Sequence, residues 1–300
     1  MKRTGYFLIS AFILIFLASC GDDDSEKELT DQALPVYEEE MVLVPAGDFE
    51  MGDHRGSGHD YERPVHTVYL NAFYIDKYEV TNAHYARFLN DYGRTTDPAG
   101  HDLITIAHLD CKIEEVGGSY RPEKGYDNHP VVCVSWYGAA AYAQFYGKRL
   151  PTEAQWEKAA RGGLVGKKYP WGDTIPTQDD ANCLGTDGRD IWNQTSPVGS
   201  FPSNGYGLHD MAGNVWEWCA DEFSPDYYRI SPRDNPRGPG PPIEFRNDDF
   251  INVKGNVSRV YRGGGWELNP QILSVSIRDF NSPSYALFSI GFRCAVNVVH

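Results

Sequence analysis

Hydrophobic positions along this chain come in short bursts broken by glycine, proline and polar turns, and a helical period holds over only a few stretches. Met41 to Gly52 reads as two short strands with a turn at Pro45 to Asp48. His54 to Arg63 is a polar loop, His66 to Leu70 alternates as a strand does, and Phe73 to Val80 reads as another strand. Thr81 then caps a helix from Asn82 to Tyr92, with Tyr85, Phe88, Leu89 and Tyr92 on one face. Gly93 to Asn128 shows no clear period and reads as an insertion loop. Its His101, His108 and Cys111 fit no standard metal spacing. His129 to Trp136 reads as a buried strand running to an N-cap at Ser135. The helix after it, Trp136 to Tyr146, stacks Ala139, Ala140 and Ala143 with Tyr142 and Phe145 and ends at Gly147. Thr152 and Gln155 form a capping box for the next helix. Glu153 and Glu157 sit one turn apart at its start, which suits the helix dipole and an arginine partner better than acid–base work. Ser224 to Ser258 carries Pro225, Pro232, Pro236, Pro239, Pro241 and Pro242 and reads as a surface excursion, since proline density forbids a helix interior.

The chain is organised around its end, from Arg259 to His300. Gly263, Gly264 and Gly265 stand between a β-rich run and Trp266. Three glycines permit φ > 0 and a close approach of backbone or ligand, so the stretch is either a tight bend in a sheet core or the floor of a groove.

Arg262-Gly263-Gly264-Gly265-Trp266, followed by Gly291-Phe292-Arg293-Cys294-Ala295, resembles the end of the formylglycine-generating enzyme (sulfatase-modifying factor) family. Tyr74-Ile75-Asp76-Lys77-Tyr78-Glu79-Val80-Thr81-Asn82 is similar to its opening. Gly147-Lys148-Arg149-Leu150-Pro151-Thr152-Glu153-Ala154, with Trp156-Glu157, is similar to its middle. The resemblance covers 39–300 and implies an α+β fold with a C-type-lectin-like core, rich in loops, with short strands and a few helices. Aerobic members of that family place a serine, a cysteine and a histidine after the glycine pair, then a second cysteine, and that cysteine pair activates oxygen. Here the serine position is Gly265, the first cysteine position Leu268, the histidine position Asn269, and Leu273 stands at the second cysteine's spacing. No cysteine lies between Cys219 and Cys294. A thiolate is the nucleophile and metal ligand of that chemistry, and leucine supplies neither. The expectation is therefore the fold without the activity and no catalytic residue. Copper is not expected, because it needs paired thiolates. Iron is not expected either: the iron-binding histidines of the ergothioneine-type relatives lie in an additional helical domain with no counterpart in this sequence.

The same resemblance implies structural calcium, which takes six to eight oxygen ligands. Asp210 and Glu217 would contribute side chains to one site, with carbonyls from Gly213 and Val215. Asn182 and Asp190 would serve a second, with carbonyls from Cys183 and Trp192. The plainer reading of both stretches is a set of hydrogen-bonded turns.

Composition narrows the function classes. A net charge of −15 argues against nucleic acid, which calls for a basic stripe. Hydrophobic content of 41% and aromatic content of 13% suit a globular domain braced by rings. Lys2 and Arg3 precede an apolar run, Tyr6 to Ala18, too short to span a membrane and suited to a secretory segment. Leu17-Ala18-Ser19-Cys20-Gly21 looks like a bacterial lipoprotein processing site, so 1–19 is expected as the signal peptide and Cys20 as the lipidated residue. Such an anchor attaches without spanning. The acidic run after it makes 20–38 a tether. The expected address is the cell envelope, at the outer membrane or surface rather than the inner membrane. Cysteines beyond Cys20 number five, an odd count that leaves at least one thiol free or paired between chains.

Three function classes follow. The first is a non-catalytic envelope lipoprotein that acts as a binding or scaffold subunit, like cysteine-free relatives in envelope complexes. Its groove would be formed by Trp266, Glu267, Leu268, Asn269, Ser276 and Arg278, with Arg278 equally readable as a buried ion pair. The second is an oxidase or maturation enzyme with a cysteine-free site, resembling relatives in siderophore maturation. The third is a surface-displayed ligand-binding protein. The partner is thus an envelope protein or a ligand that the sequence does not name.

Overall fold

The computed structural model describes residues 40–241, 243–246, 249–251 and 257–298. The expected signal peptide, Cys20 and the acidic tether lie outside the described residues. In chain order the elements are β1 (Met41–Val44), β2 (Gly47–Met51), β3 (His66–Leu70), β4 (Phe73–Asp76), α1 (Asn82–Tyr92), β5 (Ile113–Val116), β6 (Ser119–Pro122), α2 (Trp136–Phe145) and α3 (Glu153–Arg161). Then come β7 (Trp216–Glu222), α4 (Tyr227–Ile230), β8 (Glu244–Arg246), β9 (Asp249–Ile251), β10 (Arg259–Arg262), β11 (Arg278–Asn281), β12 (Ile290–Gly291) and β13 (Ala295–Asn297).

Helix ends follow their local chemistry. The Thr81, Ser135 and Thr152 hydroxyls accept from the backbone N–H three residues on, and Thr152 and Gln155 close a reciprocal capping box. Gly93 and Gly162 end α1 and α3 in the left-handed region. The four-stranded sheet runs β11-β10-β7-β12, with β12 parallel to β7. A three-stranded sheet runs β1-β4-β13, so the last strand pairs with β4 through Ala295 opposite Ile75. One core lies between α1, α2 and β7. There Tyr85 and Phe88 meet Tyr142 at ring distances of 5.9 and 5.4 Å, and the Trp136 indole donates to Cys219 O at 2.8 Å. The other core packs Ala154, Trp156 and Ala159 of α3 against Val44, Val68, Ile75 and Val260.

Three expectations change. The supposed loop from Gly93 to Asn128 contains the β5–β6 hairpin, turned by Gly117 and Gly118 at φ 62° and 82°. In β5 only Ile113 is buried, and burial falls off along the strand instead of alternating, so no strand period shows. His129 to Trp136 is buried but is not a strand. Cys133 sits at φ 59°, which breaks an extended run, and the segment is tied by the bridges Thr81–Pro130 and Ile104–Val134. The strand expected to reach Val80 stops at Asp76.

α3 points its acids inward. Glu153 accepts from Arg262 Nη1 at 3.1 Å and from Arg278 Nη2 at 2.8 Å. Glu157 pairs with Arg161 at 2.6 Å and with Arg262. The expected arginine partners are present on both acids. Asp221 of β7 completes the helix start, its Oδ2 accepting from Glu153 N at 2.9 Å. Burial, then the Glu153 charge, push the Asp221 carboxyl from 3.8 up to about 7. A carboxyl raised on folding contributes stability below its unfolded value and loses it as pH climbs through the folded one. Asp221→Asn keeps an acceptor for Glu153 N and removes the charge. It should stabilise the protein by roughly 2–4 kcal/mol at pH 8 and by almost nothing near pH 4, measured by urea unfolding. An equal effect at both pH values would remove Asp221 from this role.

Candidate functional site

β10 is held by β7 on one side and β11 on the other, with Arg262 opposite both Glu217 and Arg278. Beyond Arg262 the chain must turn out of a full sheet, and Gly263 and Gly264 take φ 99° and 80° to do it. A Cβ on Gly264 would lie 2.5 Å from Leu273 Cδ2 and 3.2 Å from Leu268 Cδ1. The bend thus brings together the two residues that stand where the resemblance implies cysteines. They form an apolar pair, packed with Ala181, Ala212 and Cys183. A Cβ on Gly265, at the serine position, would lie 2.4 Å from Glu267 Oε2, so the Glu267 carboxylate fills the space a larger side chain would need.

No activated thiol stands nearby. Among the described residues Cys111, Cys133, Cys183 and Cys219 are free, and all four are buried, as is Cys294. Burial, then Asp190, pushes the Cys183 thiol up to about 11, and burial raises Cys111, Cys133 and Cys219 as well. A thiol so placed stays protonated at neutral pH and is a poor nucleophile.

The expected groove residues divide. Trp266, Glu267 and Leu268 are half-buried and Asn269 is exposed, its Oδ1 accepting from Gln271 N at 3.0 Å. Glu267 Oε1 accepts from the Trp216 indole at 3.1 Å, and burial raises the Glu267 carboxyl. Glu267 Oε2 and the Trp266 indole nitrogen are buried without a hydrogen-bond partner. Ser276 and Arg278 do not join this face. Ser276 Oγ donates to Glu62 at 2.9 Å inside the protein, and Arg278, 1% exposed, forks onto Glu153. A guanidinium held by a buried carboxylate is structural, so the ion-pair reading of Arg278 is the correct one.

The calcium positions show mixed fitness. Asp210 Oδ2 accepts from Gly199 N at 2.7 Å, but its Oδ1 is buried and unpartnered. Burial, offset by the Gly199 N–H and Arg293, pushes the Asp210 carboxyl up to about 6. Glu217 receives the Arg293 fork at 2.7 and 2.8 Å and the Trp156 indole at 2.8 Å. That leaves Glu217 one lone pair, on Oε1, for a cation. Glu79, which sequence reasoning missed, joins the same cluster. It accepts from Asn214 Nδ2 at 2.6 Å, and burial, then Asp210 and Glu217, drive it well above the usual range. Three buried carboxylates around the single guanidinium of Arg293 are short of positive charge, which suits a cation. Glu79 lies inside the opening run, but nothing in its local sequence marks it as buried. In the second stretch Asp190 accepts from Cys183 N at 2.9 Å, Asn182 Nδ2 at 3.0 Å and Trp192 N at 3.3 Å. Only Asn182 Oδ1 is left unpartnered there, so hydrogen-bonded turns already account for most of that site. Gly213 must be glycine, since a Cβ would lie 2.2 Å from Asn182 O and the two stretches touch there.

Comparison with known proteins agrees with this geometry. Residues 26–298 match the family described as "Sulfatase-modifying factor enzyme 1-like domain". The chain is 40% identical to the formylglycine-generating enzyme of Streptomyces coelicolor, over 85% of this chain and 88% of that protein. It is also 40% identical to the serine/threonine-protein kinase pkn1 of Chlamydia pneumoniae, over 86% of this chain but only 38% of that protein. Among solved structures, PvdO from Pseudomonas aeruginosa superposes with a TM-score of 0.68 at 28% identity, covering 87% of this chain and 95% of that one. The family match over most of the chain and the identity over most of both proteins show that the chain belongs to the sulfatase-modifying factor family of formylglycine-generating-enzyme-like proteins.

Proposed function

We propose that this protein is a non-catalytic, lipid-anchored component of the cell envelope that uses a formylglycine-generating-enzyme-like domain as a binding or scaffold subunit. The observation that carries the reading is the Leu268–Leu273 pair around Gly264, where the family's chemistry would need two thiols. Beside it, the half-buried Trp266 and the exposed Asn269 would form the docking face for another protein. Lipidation at Cys20 and an outer-membrane or surface address belong to the same proposal. Affinity purification of the lipidated protein from crosslinked native membranes tests it. A reproducible stoichiometric envelope partner, lost on Trp266→Ala, is the expected result. Recovery of the protein alone overturns the scaffold reading.

Calcium belongs to this proposal as a brace rather than a reagent. Asp210 Oδ1, Glu217 Oε1 and the Gly213 and Val215 carbonyls would hold it, and the ion would offset the charge of the buried carboxylates. Calcium added to chelator-stripped protein should raise Tm, by the equivalent of about 2.7 kcal/mol at a hundredfold excess over Kd. Asp210→Ala should abolish most of that shift. A Tm indifferent to calcium in the unmutated protein would take the ion out of the account.

A further inference from the structure

The β7–β10 pair has a second end. Glu222 lies opposite Arg259 there, away from the glycine bend, and a cavity of about 380 Å³ opens beside them. Three arginines reach it from separate segments: Arg149 from the link between α2 and α3, Arg237 from the proline-rich excursion and Arg259 from β10. Among the described residues Glu222 is the one carboxylate in the lining. Arg259 lies 4.4 Å over the Trp136 ring, donates from Nη1 to Ala220 O at 2.9 Å and holds Nη2 3.6 Å from Glu222. Its Nε is buried and has no partner. Arg149 donates only to neutral oxygens, those of Leu150, Gln155 and Asn297. Burial, with Arg237 beside it, brings the Arg149 guanidinium down to about 10.

The contrast with the arginines of the core is chemical. Arg262, Arg278 and Arg293 each grip a carboxylate at hydrogen-bond distance. The cavity gathers as many guanidiniums with Glu222, 3.6 Å from Arg259, as the carboxylate in its lining and with buried Asp221 acting on Arg149 and Arg259 from behind it, so positive charge outnumbers negative and an anion is favoured. A guanidinium fork matches carboxylate and phosphate oxygens in pairs. The cavity also falls within the size range of small-molecule sites, roughly 300–1,000 Å³.

We propose that this cavity binds a small organic anion, its oxyanion taken by Arg149, Arg237 and Arg259 and its apolar body laid against Trp136, Leu70 and Ile243. The site is separate from the Trp266 face, and the proposal does not depend on the scaffold reading. Gly240 closes the excursion over Glu222, since a Cβ there would lie 2.3 Å from that carboxylate. Residues 235–241 of the excursion thus serve as the outer wall that carries Arg237.

The test titrates the full-length protein with phenyl phosphate, 3-phenylpropionate and neutral 3-phenylpropanamide, reading Tm shift and tryptophan fluorescence. The two anions separate a phosphate ligand from a carboxylate ligand, and the amide controls for the ring. Saturable binding of at least one anion, without binding of the amide, is expected. Arg237 is exposed, so Arg237→Ala should fold normally and weaken that binding by about tenfold or more, the effect of losing one charged hydrogen bond. Arg149→Gln should weaken it comparably while keeping a polar neighbour for Asn297. No saturable response to either anion overturns the proposal. So does equal binding of the amide, or unchanged anion affinity in both variants.

Discussion

Arg262→Met should cost the folded protein about 3–5 kcal/mol, the largest loss expected from any single substitution here. Arg262 is 0% exposed and lies between two acids of α3. It donates to Glu153 and Glu157 and also to the carbonyls of Val275 at 2.8 Å and Ser276 at 3.0 Å. Methionine can fill the volume but leaves Arg161 as the one cation on Glu157, beside Gly52 N–H, and Arg278 as the one cation on Glu153, beside the Tyr228 hydroxyl, with both acids still buried. The two carbonyls lose their donor as well. Arg262→Lys keeps the charge yet cannot fork, so it should lose less than methionine does. Urea unfolding of the three proteins checks the order. A methionine variant as stable as the parent would mean that the network contributes little beyond packing.

Leu268→Cys with Leu273→Cys should create a thiol pair where the parent has none. Both side chains approach the same point on Gly264, so cysteines there would face each other across the glycine bend. The double variant is expected to retain Cu(I) at one ion per chain, since soft thiolates select that ion, or to oxidise to a disulfide in air. Each single variant should do neither at that stoichiometry. Metal analysis after desalting and a free-thiol assay read the result. A double variant with two thiols that neither bind copper nor pair would show that the leucines are not the geometric counterparts of the cysteines.

What was legible in the sequence followed from local rules. The capped helices α1, α2 and α3 announce themselves through Thr81, Ser135 and the Thr152–Gln155 box, because caps and periods are written within a few residues. The glycine bend is legible for the same reason, whereas the leucines beside it stand out only through the resemblance to the family. β7 carries no strand signal, since Trp216 to Glu222 is covered on both faces and shows no alternation. Sequence proximity to Trp266 suggests a groove for Ser276 and Arg278, but it does not say that the chain turns Ser276 inward before β11 or that β11 buries Arg278. Glu79 and Arg293 meet Asp210 and Glu217 only through the fold, across residues far apart in the chain, and no local pattern marks that meeting. The arginine cavity escaped notice on the same ground, since Arg149, Arg237 and Arg259 come from three separate segments.

The central claim is that the leucine pair has removed this family's thiol chemistry from the chain. Its most direct test incubates the purified full-length protein with Cu(I), air and a cysteine-bearing sulfatase peptide, and follows the peptide by mass spectrometry. The account predicts that no copper is retained after desalting and that the peptide cysteine is not converted to formylglycine. Conversion above the level of a heat-denatured control would contradict it and return the protein to the enzymes of its family.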